Sequence, residues 1–179
     1  MSLDCREGRR RMSPMGLGNP AVQTPTPSLY TAAERVRRDQ TRWTLVQGIL
    51  APLQFLVFGV SLFLVLRTLA TGSGYEWALG SILLKTALLY LIMITGACWE
   101  KAVFGRYLFA RAFFWEDVVS MGVIVLHSAV LFAIFWPLSV DAQLGLTLVA
   151  YAAYVVNAAQ FLWKFRLARR EGTGGNADE

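Results

Sequence analysis

The sequence contains few of the residues that build disulfide, zinc and haem sites. Its 179 residues include two cysteines, Cys5 and Cys98, and a single histidine, His127. There is no CxxC pair and no zinc-ligand spacing, and a lone histidine argues against a haem held by two axial histidines. We therefore expect no disulfide framework, no structural zinc site and no bis-histidine haem.

Charged residues are scarce in four long apolar runs, over residues 45–66, 78–99, 118–136 and 144–163. Each run is close to the roughly 20 residues that a helix needs to cross about 30 Å of hydrocarbon. Only helices and closed barrels can span lipid, and the runs lack the alternation of barrel strands. The sequence predicts an all-α polytopic membrane protein with four transmembrane helices.

The tryptophans support these boundaries, because indole rings favour the interface between lipid and water. All six fall at or beside the predicted ends of the runs: Trp43, Trp77, Trp99, Trp115, Trp136 and Trp163.

The distribution of Lys and Arg predicts the orientation. Eight precede the first run, three lie in the stretch between the second and third runs, and four follow the last run, whereas Arg67 alone lies in the opposite loops. By the positive-inside rule, both termini and the middle connection face the cytoplasm. The net charge of +5 is then mainly a topology signal that also favours anionic lipid, and nucleic acid is not an expected partner.

The apolar runs lie between two tails. Residues 1–28 are basic and then rich in Pro, Gly, Ser and Thr, which predicts a disordered tail, and residues 171–179 predict another. Between them, residues 29–170 form the predicted membrane domain, which begins with a short surface helix. Thr31 and Glu34 have the spacing of a capping box for that helix. We expect no cleavable signal peptide, because a long polar stretch precedes the first apolar run.

The connection between the second and third runs is unusually aromatic. Trp99–Asp117 reads WEKAVFGRYLFARAFFWED, whereas a plain interhelical loop is usually polar and rich in Gly and Pro. We interpret residues 100–117 as an amphipathic cytoplasmic connector with acidic residues at both ends. Carboxylates beside lipid are partly desolvated and are candidates for acid–base chemistry.

Each candidate site residue also has a structural interpretation. Glu116 and Asp117 could serve only as favourable charge at a helix start, and Glu100 could form a solvated pair with Lys101. His127 could be a general acid or base, an axial ligand to a metal in a bound macrocycle, or a histidine hydrogen-bonded to a neighbouring helix.

Other polar residues of the runs and of the connector leave the same choice open. Arg106 and Lys101 could mark topology or hold a substrate carboxylate. Asn157 and Gln160 could join helices or take part in a site. Lys85 is expected to extend its amine to the outer interface.

Three strings resemble the 3-vinyl bacteriochlorophyllide hydratase family: WTLVQGILAPLQFLVF (Trp43–Phe58), WEKAVFGRYLFARAFFWEDVVSM (Trp99–Met121) and AYAAYVVNAAQFLWK (Ala150–Lys164). The preceding LYTAAERVRRDQTR is also similar, so the resemblance covers residues 29–170. One departure is Arg111, where the family pattern has Pro, which makes Arg111 a poor candidate for an essential role.

The resemblance implies hydration of the C3 vinyl group of a chlorophyllide-type pigment to a 1-hydroxyethyl group, during bacteriochlorophyll synthesis in the inner membrane of a phototrophic bacterium. It implies a Mg-tetrapyrrole substrate and water, no redox cofactor, and neighbouring pigment-synthesis enzymes as potential partners. The site would lie near the cytoplasmic face, where Tyr107 and Trp115 could stack on the macrocycle and Arg106 or Lys101 could pair with its propionate.

Hydration requires a proton on the terminal vinyl carbon and water on the inner carbon. Our hypothesis is that Glu116 or Glu100 gives the proton and that Asp117 or His127 takes one from the attacking water. If His127 instead ligates the substrate Mg, the base is Asp117. The alternative function is a non-catalytic tetrapyrrole carrier or assembly factor of the photosynthetic membrane, and a small transporter is a less favoured one.

Overall fold

A computed structural model describes residues 29–174, with side chains to residue 167. Within that range it has five helices and no strand: α1 (Ala32–Gln40), α2 (Arg42–Thr71), α3 (Tyr75–Phe104), α4 (Phe114–Phe135) and α5 (Val140–Gly174). Helices α2 to α5 are each long and apolar enough to cross a membrane. The predicted all-α class and the four spanning helices are confirmed, while the predicted tail over 1–28 lies outside the described residues.

The short surface helix begins as its sequence predicts. Thr31 Oγ1 accepts a hydrogen bond from the amide of Glu34 at 3.3 Å, and the Glu34 carboxylate accepts one from the amide of Thr31 at 2.7 Å. This reciprocal pair satisfies two amides that have no partner inside the helix. Thr41 is extended between α1 and α2, so α1 is separate from the membrane-spanning helix.

The four long helices form two antiparallel hairpins, each closed by a short turn. Helix α2 packs mainly on α3 and α4 mainly on α5, while α2 meets α5 and α3 meets α4 over smaller areas. Gly72 and Gly74 both have positive φ in the first turn, a conformation that glycine adopts without a steric penalty. Large apolar side chains face outward along all four helices, as lipid contact requires.

The connector differs from a single amphipathic segment over 100–117. Helix α3 continues to Phe104, a loop spans residues 105–113, and α4 begins at Phe114. Helix α5 likewise continues past residue 163, and the first part of the predicted tail over 171–179 is helical to Gly174, the remainder lying outside the described residues. Helices propagate at the membrane surface until a residue such as Gly105, with φ of 78°, ends them.

An aromatic core fills the end of the bundle beneath α1 and the connector loop. Trp99 was expected at the lipid interface, but its ring is buried against Phe104 and Phe113, and its Nε1 donates to Thr44 Oγ1 at 3.0 Å. Tyr30 stacks on Phe104 with ring centroids 5.8 Å apart, and burial raises the pKa of its phenol to about 12. This dry core supports the loop from below.

Candidate active site

Two carboxyl groups from different helices organise the connector loop. Glu100 lies near the end of α3 and Asp117 in the first turn of α4, and their side chains are 5% and 3% exposed. The amide of Phe109 donates to Asp117 Oδ2 at 2.7 Å, and the next amide, that of Ala110, donates to Glu100 Oε2 at 3.2 Å. Because these two amides are consecutive in the chain, the two carboxyl groups lie close to each other. We call Glu100 and Asp117 the acidic pair.

The loop has an uncommon backbone conformation where it meets the acidic pair. Phe109 has φ of 58° and is the only non-glycine residue with positive φ between residues 29 and 174. Such a conformation costs an L residue about 1 to 3 kcal/mol and persists only where the surroundings impose it. The two amide–carboxyl bonds supply that constraint, so the loop and the acidic pair hold each other in place.

Glu116 is adjacent to Asp117 in sequence but has a different role. Its Oε2 accepts from Lys164 Nζ at 2.7 Å, which joins the start of α4 to α5. Lys164 also lies 5.1 Å from the centroid of the Phe113 ring. The structure therefore brings Asp117 together with Glu100 of α3 and gives Glu116 an interhelical ion pair with α5.

A surface pocket opens on the outer side of the loop. It is lined by Arg106, Leu108, Phe109, Arg111 and Phe114, and its lining therefore includes the residue whose amide binds Asp117. Two guanidinium groups beside two phenyl rings can bind an anionic group attached to a flat apolar body. We call this the connector pocket.

The other predicted binding residues near the loop divide into two groups. Tyr107 and Trp115 are exposed, Trp115 by 72%, so both remain available at the surface. Lys101 is engaged locally, because its Nζ donates to the carbonyl of Gly105 at 3.0 Å and lies 5.2 Å from the Tyr107 ring centroid. The sequence made Arg111 a poor candidate for an essential role. The fold of the loop nevertheless places Arg111 with Arg106 in the lining of the pocket.

His127 lies away from the acidic pair. It follows Asp117 by ten residues on α4, which is about 15 Å along the helix axis. Its Nδ1 donates to the carbonyl of Val123 at 2.9 Å, its ring stacks on Tyr151, and its Nε2 is buried with no hydrogen-bond partner among the described residues. The structure thus does not bring His127 together with the carboxylates.

Asn157 of α5 contacts α4 at Ser120, which lies between Asp117 and His127 along that helix. Asn157 exchanges two hydrogen bonds with Ser120 of α4: its Nδ2 donates to Ser120 Oγ at 2.9 Å, and its Oδ1 accepts from Ser120 at 3.2 Å. Gln160 Oε1 is buried without a hydrogen-bond partner in the described part of the chain. Asn157 therefore faces the seam between α4 and α5, and neither Asn157 nor Gln160 lines the connector pocket.

Lys85 does not reach the outer interface. Its side chain is 0% exposed, and its Nζ lies 3.7 Å from the centroid of the Tyr154 ring. The expectation that Lys85 extends to the interface was wrong, because its side chain points from α3 into the bundle.

No group of three or more His, Cys, Asp or Glu side chains among the described residues could hold a metal ion.

The fold and site define a small polytopic helical membrane protein with a buried acidic pair beneath a basic, aromatic pocket at one end of its bundle. The chain belongs to the 2-vinyl bacteriochlorophyllide hydratase family, which it matches over residues 30–167. The expected family is confirmed, and the 2-vinyl and 3-vinyl names are variants of one family name.

Two relatives carry the same name. The 2-vinyl bacteriochlorophyllide hydratase of Cereibacter sphaeroides is 66% identical over 145 residues, which is 81% of this chain and 91% of the relative. That of Rhodobacter capsulatus is 63% identical over 150 residues, which is 84% of this chain and 88% of the relative. No solved structure matches the chain significantly.

Proposed function

We propose that this chain is a hydro-lyase that adds water to the C3 vinyl group of a chlorophyllide-type Mg-tetrapyrrole, giving a 1-hydroxyethyl group in bacteriochlorophyll synthesis. Membership of the hydratase family supports the reaction. The observation that carries the mechanism is the acidic pair, in which Glu100 and Asp117 lie buried beneath the connector pocket.

The connector pocket suits the substrate's two chemical parts. Arg106 and Arg111 would pair with the propionate carboxylate, for which a guanidinium offers bidentate hydrogen bonds. Phe109 and Phe114 would stack on the macrocycle, and the exposed Tyr107 and Trp115 would extend this aromatic surface. Lys101 supports the loop through Gly105 instead of binding the pigment.

The acidic pair would supply and recover the proton. Two buried carboxyl groups held close together repel each other when both are ionised, which favours a single proton on the pair. Asp117 accepts the shorter amide bond, at 2.7 Å against 3.2 Å for Glu100, and a strong donor favours the ionised partner. We therefore assign the proton to Glu100 and the negative charge to Asp117.

The reaction then balances without a cofactor. The Glu100 O–H bond breaks as the vinyl π pair forms a C–H bond at the terminal carbon, which leaves a cation at the inner carbon that is delocalised into the macrocycle. The two carboxylates stabilise this cation. Water forms a C–O bond at the inner carbon and returns one proton to the pair, so the pair again carries one proton.

Glu116 and His127 take no part in the proposed proton transfers. The Glu116 carboxylate is held by Lys164 Nζ at 2.7 Å in a contact between α4 and α5, and it takes no part in the acidic pair. The axial separation of about 15 Å between His127 and Asp117 exceeds the distance from the centre of a tetrapyrrole to its vinyl group. His127 therefore neither takes the water proton nor ligates Mg in a pigment whose vinyl group lies at the acidic pair.

We also propose that the site lies at the cytoplasmic face of the bacterial inner membrane, with both termini cytoplasmic. Arg37, Arg106 and Arg166 lie at the connector end of the bundle, while Arg67 lies at the other end, a distribution that follows the positive-inside rule. The apolar outward face fits surrounding lipid, through which an apolar pigment can reach the pocket.

The test is conversion of pigment by the chain alone. Membranes of a non-phototrophic host that expresses the chain are incubated with chlorophyllide in ¹⁸O-labelled water, and membranes that carry Glu100→Gln with Asp117→Asn serve as the control. We expect a product heavier by one labelled water from the unaltered chain only. Tight pigment binding without a mass change, alongside an active relative, would instead establish the carrier function.

A further inference from the structure

A second set of buried polar groups lies in the middle of the bundle. Gln54 of α2, Lys85 and Thr86 of α3, and His127 of α4 are each 2% exposed or less. Their terminal polar atoms, namely Gln54 Oε1 and Nε2, Lys85 Nζ, Thr86 Oγ1 and His127 Nε2, have no hydrogen-bond partner among residues 29–167. We call these four residues the interior cluster.

Contacts with α5 place Lys85 and His127 at one level of the bundle, where Thr86 follows Lys85 on α3. Lys85 lies over the Tyr154 ring and His127 stacks on Tyr151. The Phe58 ring of α2 contacts both tyrosines, with centroids 5.4 and 5.1 Å away, and Gln54 is one turn from Phe58 on the same helix. The two helical hairpins therefore meet through polar side chains at this level.

The chemistry of the cluster matches water better than an ion. His127 Nδ1 donates to a carbonyl, which leaves Nε2 as an acceptor in the neutral ring. Gln54 and Thr86 can each donate and accept, whereas Lys85 donates when charged. An anion would leave the acceptors unmatched and a cation would leave the donors unmatched, but a water molecule both donates and accepts and is the usual partner of such groups.

Polar side chains connect the cluster to the acidic pair. Along α5, Tyr154, Asn157 and Gln160 follow one another at steps of three, about 4.5 Å of axial rise each. Asn157 binds Ser120, which is three residues from Asp117 on α4. A seam of hydrogen-bonding groups thus runs from the centre of the bundle to the back of the acidic pair.

We propose that the interior cluster binds a group of ordered water molecules and that the seam through Ser120, Asn157 and Gln160 delivers water to the acidic pair. The delivery role rests on the proposed function. A macrocycle in the connector pocket covers the outer side of the pair and shields it from bulk water, so the reacting water arrives from the inner side. The interior cluster is then a water site and Asn157 is a positioning residue.

The water site is tested without turnover. X-ray hydroxyl-radical footprinting of the detergent-solubilised full chain labels buried side chains that contact ordered water. We expect labelling of Tyr154 and His127, and little labelling of Phe113, which is as buried as His127 but lies in the dry aromatic core. A Gln54→Leu, Thr86→Val variant with an unchanged elution volume should lose the labelling. Equal, low labelling of Tyr154, His127 and Phe113 in the unaltered chain would overturn the water site.

The delivery role is tested by comparing two variants, each of which loses one hydrogen bond between helices. Asn157→Leu removes the bond to Ser120 in the seam, and Ser128→Ala removes the bond of 2.6 Å between Tyr90 and Ser128 outside it. We expect Asn157→Leu to lower kcat roughly 10- to 100-fold and to change the solvent deuterium isotope effect, with KM unchanged. Asn157→Gln should recover part of kcat, and Ser128→Ala should match the unaltered chain.

The outcomes separate the two proposals. An unaltered chain that binds pigment but does not hydrate it contradicts the proposed function, whereas footprinting still decides the water site. An active chain in which Asn157→Leu keeps kcat and its isotope effect contradicts the delivery role and leaves the acidic pair in place.

Discussion

At the scale of single residues, Glu100 and Asp117 depend on each other and on two consecutive loop amides. Neither is marked by a motif, and each could be an ordinary charge at a helix end. The role proposed for them rests on burial to 5% and 3% exposure and on the bonds to Phe109 and Ala110. A carboxyl group in such surroundings exchanges protons with a bound group rather than with solvent.

Replacing Glu100, the proposed proton donor, should slow the chemistry strongly and spare binding. Glu100→Gln keeps the size of the side chain and an acceptor for the Ala110 amide, but it has no acidic proton. We expect kcat to fall about 10²- to 10⁴-fold with pigment affinity within about twofold of the unaltered chain. Glu76→Gln, at the opposite end of α3, is the matched control. Full turnover by Glu100→Gln in correctly folded protein would remove Glu100 as the donor.

Glu116 should behave as a structural residue. Glu116→Gln removes the charge that pairs with Lys164, and we expect a loss of about 1 kcal/mol in stability, measured as a lower Tm in detergent, with kcat nearly unchanged. Lys164→Met should give a similar Tm and add little to Glu116→Gln in the double variant. A large loss of kcat in Glu116→Gln alone, with Tm unchanged, would return Glu116 to the chemistry.

At the scale of the connector, the loop over residues 105–113 contacts the acidic pair and also forms the connector pocket. Its arginines lie on the outer side and its amides bind the acidic pair on the inner side. A pigment that binds the outer side would therefore contact the same backbone that holds the proposed proton donor, Glu100.

Loss of both pocket arginines should weaken pigment binding through the propionate. We expect Arg106→Gln with Arg111→Gln to raise KM about 10- to 100-fold, because a hydrogen bond between charged groups contributes about 1.5 to 3 kcal/mol. Arg67→Gln, at the other end of the bundle, is the control. The methyl ester of the pigment should bind the unaltered chain and the double variant equally. An ester that still discriminates between them would place the propionate elsewhere.

At the scale of the whole molecule, the two hairpins meet through polar groups in the middle and through the acidic pair at one end. Cysteine accessibility tests the orientation of this arrangement. In a Cys5→Ser, Cys98→Ser background, a membrane-impermeant maleimide should label Glu76→Cys from outside the inner membrane, whereas Tyr107→Cys should react only after the membrane is opened. The reverse pattern would place the connector on the periplasmic side.

The predictable part of the fold is the part set by local chemistry. Long apolar runs must become helices in lipid because no water is present to satisfy the backbone, and Thr31 with Glu34 caps α1 through neighbours in the chain. The helix bounds were less predictable: Trp99 and Glu100 were expected at a helix end, but α3 continues to Phe104, because burial in the aromatic core favours the helix there.

By itself the sequence determined the class, the number of spanning helices and the family, since these follow from composition and from strings of adjacent residues. It also placed Glu100, Glu116, Asp117 and His127 among the candidates. Three features are visible only in the tertiary structure. Glu100 lies beside Asp117, Glu116 forms an ion pair with Lys164, and His127 is buried in the interior cluster. The reason is that these partners lie on different helices, and a contact between helices depends on their rotation and depth, which residue spacing along one helix does not contain.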